Sequence, residues 1–274
     1  TAEGYGQGYS EEMLGKALGK DRSQAVIASK VSAHHLSRKQ LIAACEESLR
    51  RLQTDYIDLY QIHWPNRDIP LQETMEALNL LLEQGKIRAI GVCNFGYRDL
   101  SELLDLQPVA TDQLIYSLLW RAVEYEVQPL CVKNNIGILC YSPLGQGLLS
   151  GKYNALEQFP VERMRTKHFS SQRPQALHHE PGCEEETFAA IRKIQHICDE
   201  ISEPMNKVAL AWLIQQAGVT SVLAGVRNVQ QVNANAEAAA LRLSADTVHA
   251  LDEATKDVKR ALGNDLDFVQ YRVR

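Results

Sequence analysis

Short runs of β-branched, aliphatic and aromatic residues recur along the chain, and longer stretches with helical periodicity separate them. The run at residues 56–62, Tyr-Ile-Asp-Leu-Tyr-Gln-Ile, is too short for a helix and predicts a buried strand. It ends at His63, and Pro65 prevents further ladder pairing because proline has no backbone N–H. The same criteria predict six strands, at residues 25–29, 56–62, 87–92, 109–115, 136–140 and 220–224.

Helical periodicity and end signals predict helices between these strands. After Ser37 the apolar residues Leu41, Cys45 and Leu49 fall on one helical face, and Ser37 with Gln40 has the spacing of a capping box. Residues 142–182, in contrast, have little periodicity and predict a long irregular segment. The predicted helices cover residues 10–18, 37–52, 70–85, 98–104, 124–134, 184–201, 204–217 and 228–239, with one more after Ser244.

Strands that alternate with helices indicate parallel βαβ units. An open doubly wound sheet usually carries G-x-G-x-x-G directly after its first strand, whereas the glycine cluster Gly4, Gly6 and Gly8 follows no strand. We therefore predict an α/β fold of the (β/α)8 TIM-barrel type, in one domain over residues 1–274. The chain begins in the middle of such a unit, and we expect two strands of the barrel to be missing from it.

Composition narrows the functional classes. The net charge of −5 argues against a nucleic-acid-binding surface, which would require a basic stripe. No apolar run approaches the roughly 18 residues that span a bilayer, and residues 1–10 do not resemble a signal peptide. The six cysteines are scattered without a C-x-x-C pair, which favours reduced thiols. We expect a cytoplasmic protein that acts on a small molecule, with neither nucleic acid nor membrane as a partner.

Titratable and aromatic residues stand at the predicted strand ends, where α/β folds place their chemistry. Lys30 has two interpretations, an acid or base with a perturbed pKa, or a lysine whose ammonium simply extends to solvent. His63 has three, a metal or substrate ligand, a general base, or a histidine packed in the core. Tyr141 suits stacking on a flat ligand or capping of the core. Tyr5, in a glycine-flanked loop, suits either a proton donor or packing.

Two loops suit an anion. Residues 141–151 form a glycine-rich turn whose backbone N–H groups could surround phosphate, although an ordinary turn has the same composition. Arg227 lies between a strand and a helix start, where a guanidinium and a helix N-terminus both attract phosphate, or it is a solvated loop residue. The pairs at 34–35 and 178–179 are adjacent histidines without a third ligand at usual spacing, so we expect no metal.

Together these segments resemble the aldo-keto reductase superfamily. Residues 1–15, TAEGYGQGYSEEMLG, are similar to the family signature D-T-A-x-x-Y-G-x-G-x-S-E-x-x-L-G from its second position on. The strands around Lys30 and His63 and the segment 91–95, GVCNF, are similar to further family motifs. So are Gln113 with residues 116–118, residues 141–153 and residues 225–235, and the resemblance runs in register from Thr1 to about Leu243.

The resemblance implies reduction of aldehydes or ketones to alcohols by hydride from NADPH. Tyr5 would be the general acid, Lys30 would lower its pKa, and His63 would orient the substrate carbonyl. Arg227 would contact the 2′-phosphate and so favour NADPH over NADH. Trp64, Trp120 and the loop at 151–182 would shape the substrate pocket, which suggests an apolar or aromatic carbonyl compound. The remaining cofactor contacts implied are Cys93, Asn94 and Gln113 at the carboxamide, Tyr141 on the nicotinamide ring, Ser142, Leu144, Gly145 and Gln146 at the pyrophosphate, and Gly225, Gln231 and Asn235 at the adenosine.

Two departures from the family pattern stand out. The family's catalytic aspartate immediately precedes the position of Thr1 and is not in this chain, and the first two strands with an N-terminal hairpin are expected to be missing with it. Cys93 stands where the family usually has serine, and a thiol donates a weaker hydrogen bond. Carboxamide binding would then rest more on Asn94 and Gln113.

Two rival functions remain. The first is a cofactor-sensing binding module similar to the β subunits of potassium channels, which would retain nicotinamide and turn over slowly. The second is a non-redox barrel, an isomerase or lyase using Lys30 and His63, which would leave Tyr141 and Arg227 without a role. The oligomeric state and the physiological substrate are not indicated by the sequence.

Overall fold

A computed structural model describes residues 1–267. The described residues divide into two compact units, the first formed by residues 1–113 with 134–136 and the second by residues 114–133 with 137–267. The prediction of one domain over residues 1–274 stays a prediction. No helix within the described residues is long and apolar enough to cross a bilayer.

The first unit is built from parallel strands that alternate with helices. Strand β1 pairs with β2, β2 with β3 and β3 with β4, all in parallel, and Lys30 lies opposite Gln61. The predicted apolar stripe of the helix after Ser37 is buried, which confirms its helical period. The elements are α1 (Tyr9–Leu18), β1 (Ala28–Val31), α2 (Arg38–Leu52), β2 (Leu59–Ile62), α3 (Leu71–Glu83), β3 (Ile90–Cys93), α4 (Tyr97–Leu104) and β4 (Thr111–Ile115), and β4 leads into the second unit.

Up to residue 267, the second unit contains two parallel strands, β5 and β6, and five α-helices. Residues 142–183 between β5 and the next helix contain only short 3₁₀ turns, as their lack of periodicity predicts. The elements are α5 (Val127–Lys133), β5 (Gly137–Tyr141), α6 (Glu184–Glu200), α7 (Met205–Ile214), β6 (Val219–Val222), α8 (Val229–Ala238) and α9 (Ala245–Leu262). The prediction of an α/β fold with parallel strands is confirmed.

Several element boundaries differ from the prediction. Strand β1 begins at Ala28 rather than at residue 25, because the Ile27 N–H donates to the Asp58 carboxylate (2.9 Å) instead of to a neighbouring strand. Lys30 therefore lies inside β1 and not after it. The capping box at Ser37 is not formed, since its hydroxyl donates to the Gln40 side chain (2.6 Å) and accepts no backbone N–H.

Candidate active site

Tyr5, Lys30 and His63 come from three separate segments of the first unit and lie together. The Lys30 Nζ is 5.0 Å from the centroid of the Tyr5 ring, and the His63 ring meets that ring edge-on with centroids 5.6 Å apart. Backbone pairing brings the segments together, because the His63 N–H donates to the Val31 carbonyl (3.0 Å) and the Glu3 N–H to the Lys30 carbonyl (3.2 Å). A phenol, an ammonium and an imidazole thus form one cluster.

Lys30 is held in an interior position. Only 3% of it is exposed, and its Nζ donates to the Thr1 carbonyl oxygen (2.8 Å). Burial lowers the pKa of Lys30, and the nearby Cys93 and Glu11 side chains oppose that shift. An ammonium so enclosed is screened little by solvent, and its charge therefore acts strongly on the groups beside it.

Tyr5 is 44% exposed, so its ring is open to solvent on one side. Burial of the rest raises the pKa of Tyr5, with Cys93 adding to the rise. The net direction is opposite to the lowering expected from Lys30, because burial dominates; the expectation that the Lys30 ammonium favours the phenolate stays a prediction. A raised pKa keeps the phenol protonated at neutral pH, and Tyr5 therefore carries the proton that a general acid donates.

His63 is neutral at physiological pH. Burial, followed by the Lys30 charge, lowers its pKa to about 4, although Glu3 acts in the opposite direction. A neutral imidazole has one N–H donor and one acceptor nitrogen. The ring is half-buried, and its backbone carbonyl accepts a hydrogen bond from the Asn94 side chain (3.1 Å). His63 therefore offers a polar N–H next to Tyr5 without adding a second positive charge beside Lys30.

Cys93, Asn94 and Gln113 form a second group of the first unit at the ends of β3 and β4. Asn94 adopts a left-handed conformation (φ 60°), which asparagine tolerates, and its N–H donates to the Gln113 carbonyl (3.0 Å). Its Nδ2 donates to the Cys93 sulfur (3.1 Å), while burial raises the pKa of the Cys93 thiol far above its usual range. Gln61 donates to the Gln113 Oε1 (3.1 Å), so the Gln113 amide N–H groups are oriented and make no hydrogen bond with the described residues.

A cavity of about 680 Å³ lies in the second unit, within the usual size range of ligand pockets. It is formed by the turn after β5, by the segment after β6 and by the start of α8. Gly145 belongs to the same turn but lines a smaller neighbouring cavity, and Tyr141 is half-buried at the end of β5. The predicted cofactor residues that line the large cavity are Ser142, Leu144, Gln146, Gly225, Arg227, Gln231 and Asn235.

The turn after β5 has an unusual backbone. Ser142, Gly145, Gln146 and Gly147 all have φ between 52° and 108°, and the Gly145 and Gly147 N–H groups donate to the Ser142 and Leu144 carbonyls within the turn (2.9 Å each). Gly147 is favoured there because its φ of +108° is one that L side chains rarely adopt. The Oε1 of Gln146 is buried and accepts no hydrogen bond from the described residues. Such an orphaned acceptor suits a hydroxyl or amide donor of a bound molecule.

The charge of the large cavity is positive. Lys152, Arg163 and Arg227 line it, no aspartate or glutamate does, and none of the three cations forms an ion pair with a carboxylate within residues 1–267. The backbone N–H of Arg227 donates to the Gln231 side-chain oxygen (2.8 Å), and this hydrogen bond fixes the loop in front of α8. Three unneutralised cations fit the phosphates of a dinucleotide.

Among the polar residues that line this cavity, Asn206 stands outside every functional segment named from the sequence, and Lys152, Tyr153 and Arg163 were included only as members of the segments 141–153 and 151–182. Lys152 and Tyr153 directly follow the glycine turn, and that adjacency was a usable signal. Arg163 comes from the irregular segment and Asn206 from α7, and neither stands in a pattern that predicts its position. Within the described residues, no group of three or more His, Cys, Asp and Glu side chains is arranged to hold a metal ion.

The two predicted substrate contacts differ in their surroundings. Trp64, in the first unit, is half-buried and nearly parallel to the His63 ring, with centroids 6.5 Å apart. Trp120, in the second unit, is 1% exposed and meets the His168 ring edge-on at 5.4 Å. The cavity beside Trp120 holds about 10 Å³, no more than one water molecule. A substrate contact at Trp120 would therefore require the segment around His168 to move.

Comparison with known proteins agrees with this arrangement. Residues 1–256 match the profile of the Aldo/keto reductase family. The chain is 33% identical to the aldo-keto reductase YhdN of Bacillus subtilis, over 97% of this chain and 79% of that protein. It is 32% identical to an NADH-specific methylglyoxal reductase of Escherichia coli, over 95% and 83% of the two proteins.

A solved structure is similar over nearly the whole chain. An aldo/keto reductase of Klebsiella pneumoniae, crystallised with NADP and acetate, superposes with a TM-score of 0.76 at 32% identity, over 98% of this chain and 82% of that one. The predicted (β/α)8 barrel class is thereby confirmed. With the Tyr5, Lys30 and His63 cluster in the first unit and a cationic cavity in the second, the chain belongs to the aldo/keto reductase family.

Proposed function

We propose that this protein is an NADPH-dependent oxidoreductase that reduces aldehydes or ketones to alcohols, with Tyr5 as general acid. The observation that carries the proposal is the cluster of Tyr5, Lys30 and His63, three groups suited to polarise and protonate one carbonyl oxygen. Family membership supports the same reaction class.

The protein's residues act on the carbonyl oxygen. NADPH, when bound, supplies hydride to the carbonyl carbon. Tyr5 gives its phenolic proton to the oxygen as negative charge develops there, and the buried Lys30 ammonium stabilises the phenolate that remains. The neutral His63 donates an N–H to the same oxygen and fixes its direction. One hydride and one proton together convert the carbonyl to an alcohol.

The cationic cavity supports binding of the cofactor's phosphates. Lys152, Arg163 and Arg227 lack carboxylate partners among residues 1–267, so they are free to neutralise a polyanion. Arg227 is assigned to the 2′-phosphate, which makes NADPH the preferred cofactor. The Escherichia coli relative described as NADH-specific makes this preference the part of the proposal that most needs testing.

The substrate class is a small carbonyl compound. The Escherichia coli relative is named for methylglyoxal, a compact ketoaldehyde, and Trp64 beside His63 offers an apolar surface to such a molecule. The six cysteines are all free and buried, which suits a reducing compartment such as the cytoplasm.

The test is a panel of aldehydes and ketones, including methylglyoxal, assayed by the loss of NADPH absorbance. We expect turnover with at least one small aldehyde, and we expect Lys30→Met to lower kcat by about 100-fold or more while NADPH still binds. The control is Lys16→Met, an exposed lysine in α1, which is expected to keep full activity. Tight NADPH binding with negligible turnover on the whole panel would instead favour the cofactor-sensing module.

A further inference from the structure

Glu11 is a carboxylate buried completely in the first unit, and the proposed reaction does not use it. Its side chain has no exposed surface, although it lies in the first turn of α1. Arg51 of α2 binds one oxygen through Nε (2.8 Å) and through a second guanidinium nitrogen (2.7 Å). The Ser29 hydroxyl of β1 donates to the other oxygen. A buried charge with these partners joins three elements at one point.

The same junction supports the loop that carries Tyr5. The Glu11 N–H donates to the Gly8 carbonyl (3.0 Å), and the Ser10 N–H donates to the Tyr5 carbonyl (3.2 Å). A Cβ on Gly8 would stand 2.6 Å from the Arg51 side chain, so this turn lies directly against the guanidinium. The position of the Tyr5 loop is therefore defined by its contact with the Glu11–Arg51 pair.

The junction also fixes the strand that carries Lys30. Ser29 is the residue before Lys30 in β1, and it is fully buried with its hydroxyl directed to Glu11. The Glu11 carboxylate thus contacts β1, which carries Lys30. Glu11 itself belongs to α1, the helix that follows the loop of Tyr5. Movement of either element changes the 5.0 Å separation between the Lys30 Nζ and the Tyr5 ring.

The charge of Glu11 matters as well as its geometry. Burial lowers the pKa of Lys30, whereas the neighbouring Cys93 and Glu11 side chains raise it. Burial keeps the Cys93 thiol neutral, which leaves Glu11 as the group that supplies actual negative charge. Several other titratable or charged groups surround Lys30 and this junction. They are Tyr5, His63, Glu3 and the Thr1 amino group near Lys30, Arg51 with its second partner Glu47 (3.2 Å), and the buried Cys45 and Tyr60 near Glu11.

We propose that Glu11 is a positioning residue of this active site, which holds Lys30 and Tyr5 at their working separation through Ser29 and Arg51 and places a buried carboxylate next to the strand of Lys30. The proposal rests on the proposed carbonyl reduction for its kinetic consequence. Its structural consequence, an altered ionisation of Lys30, is independent of any reaction.

The first test is Glu11→Gln, which keeps the shape and the hydrogen-bond acceptor but removes the charge. We expect kcat to fall by about 10- to 100-fold, because small displacements of reacting groups cost that much. KM for NADPH should stay within about twofold, since the cationic cavity is unchanged, and the alkaline limb of the kcat–pH profile should move to lower pH. The matched control is Glu12→Gln, the next residue of α1, whose side chain makes no hydrogen bond or ion pair with the described residues.

A second variant and a second measurement keep the test decisive if Glu11→Gln folds poorly. Ser29→Ala removes only the link to β1 and is expected to lower kcat with the same unchanged KM for NADPH. Titration of Lys30 by NMR after ¹³C-dimethylation of lysines reports its pKa directly and is expected to give a lower value in Glu11→Gln. That result would stand even if the wild-type protein reduced no carbonyl compound, which separates this proposal from the proposed function. An unchanged Lys30 titration, or equal losses of kcat in Glu11→Gln and Glu12→Gln, would overturn it.

Discussion

Acid is expected to destabilise the folded protein through His168, in the irregular segment before α6. His168 is 3% exposed, its Nε2–H donates to the Leu119 carbonyl (2.8 Å), and its Nδ1 accepts the Thr166 hydroxyl (3.0 Å). The contact of Nδ1 with the Thr166 hydroxyl requires the neutral ring, because a protonated Nδ1 cannot accept a hydrogen bond. Protonation would place an unpaired charge in the interior, and burial accordingly lowers the pKa of His168 from 6.5 to about 4.

The magnitude follows from that shift. One pKa unit corresponds to about 1.4 kcal/mol, so a fall from 6.5 to about 4 corresponds to roughly 3 kcal/mol. The unfolded chain binds the proton more readily than the folded one. This part of the stability is therefore complete above pH 6.5 and is lost as the pH falls to about 4.

The assay is urea unfolding at several pH values across that window, with wild type beside His168→Gln. We expect the wild type to lose roughly 3 kcal/mol more than the variant between pH 6.5 and 4. His63, whose pKa is also lowered, acts equally in both proteins and cancels from the comparison. The control is His249→Gln, an exposed histidine of α9, which should follow the wild-type curve. Parallel curves for wild type and His168→Gln would refute the assignment of a buried neutral ring.

Three further predictions test the cofactor cavity and the interior. Arg227→Gln should raise KM for NADPH about 10- to 100-fold while KM for NADH changes little, because a hydrogen bond to a charged group contributes about 1.5–3 kcal/mol. Equal changes of KM for both cofactors would exclude a contact between Arg227 and the 2′-phosphate. Burial raises the pKa of the fully buried Asp112, so the neutral Asp112→Asn should change the free energy of unfolding by less than about 1 kcal/mol, measured by urea titration. A loss of about 3–5 kcal/mol would mean that Asp112 is charged. Gly182→Ala should destabilise by more than about 2 kcal/mol, because φ is +80° and the new Cβ would lie 2.4 Å from the Phe169 backbone; Gly263→Ala, with φ +66° and open space, should cost only about 1 kcal/mol.

The sequence predicted the alternation of strands and helices because both periodicities are strong in the regular elements. The stripe of Leu41, Cys45 and Leu49 in α2 is an example, since burial of one helical face selects its spacing. Strand ends were less accurate where side chains replaced ladder hydrogen bonds, as Asp58 does at Ile27. Hydrophobic pattern does not carry that information.

The cluster in the first unit and the cavity in the second were predicted to different extents. Residues at strand ends, such as Lys30 and His63, could be found because parallel strands bring their carboxyl ends to one edge. Arg163 could not, because its position depends on the path of an irregular loop with no periodicity of its own. The direction of the Tyr5 pKa shift was also missed, since it depends on burial of the ring rather than on its neighbours in the sequence.

The central claim is that Tyr5 gives the proton to the carbonyl oxygen. Tyr5→Phe removes the hydroxyl and keeps the ring that meets His63 and Lys30. Steady-state kcat with the best aldehyde of the panel, measured together with the dissociation constant for NADPH, tests the claim most directly. We expect kcat to fall by about 100-fold or more while NADPH binding is unchanged. A variant that reduces the aldehyde at the wild-type rate would contradict it.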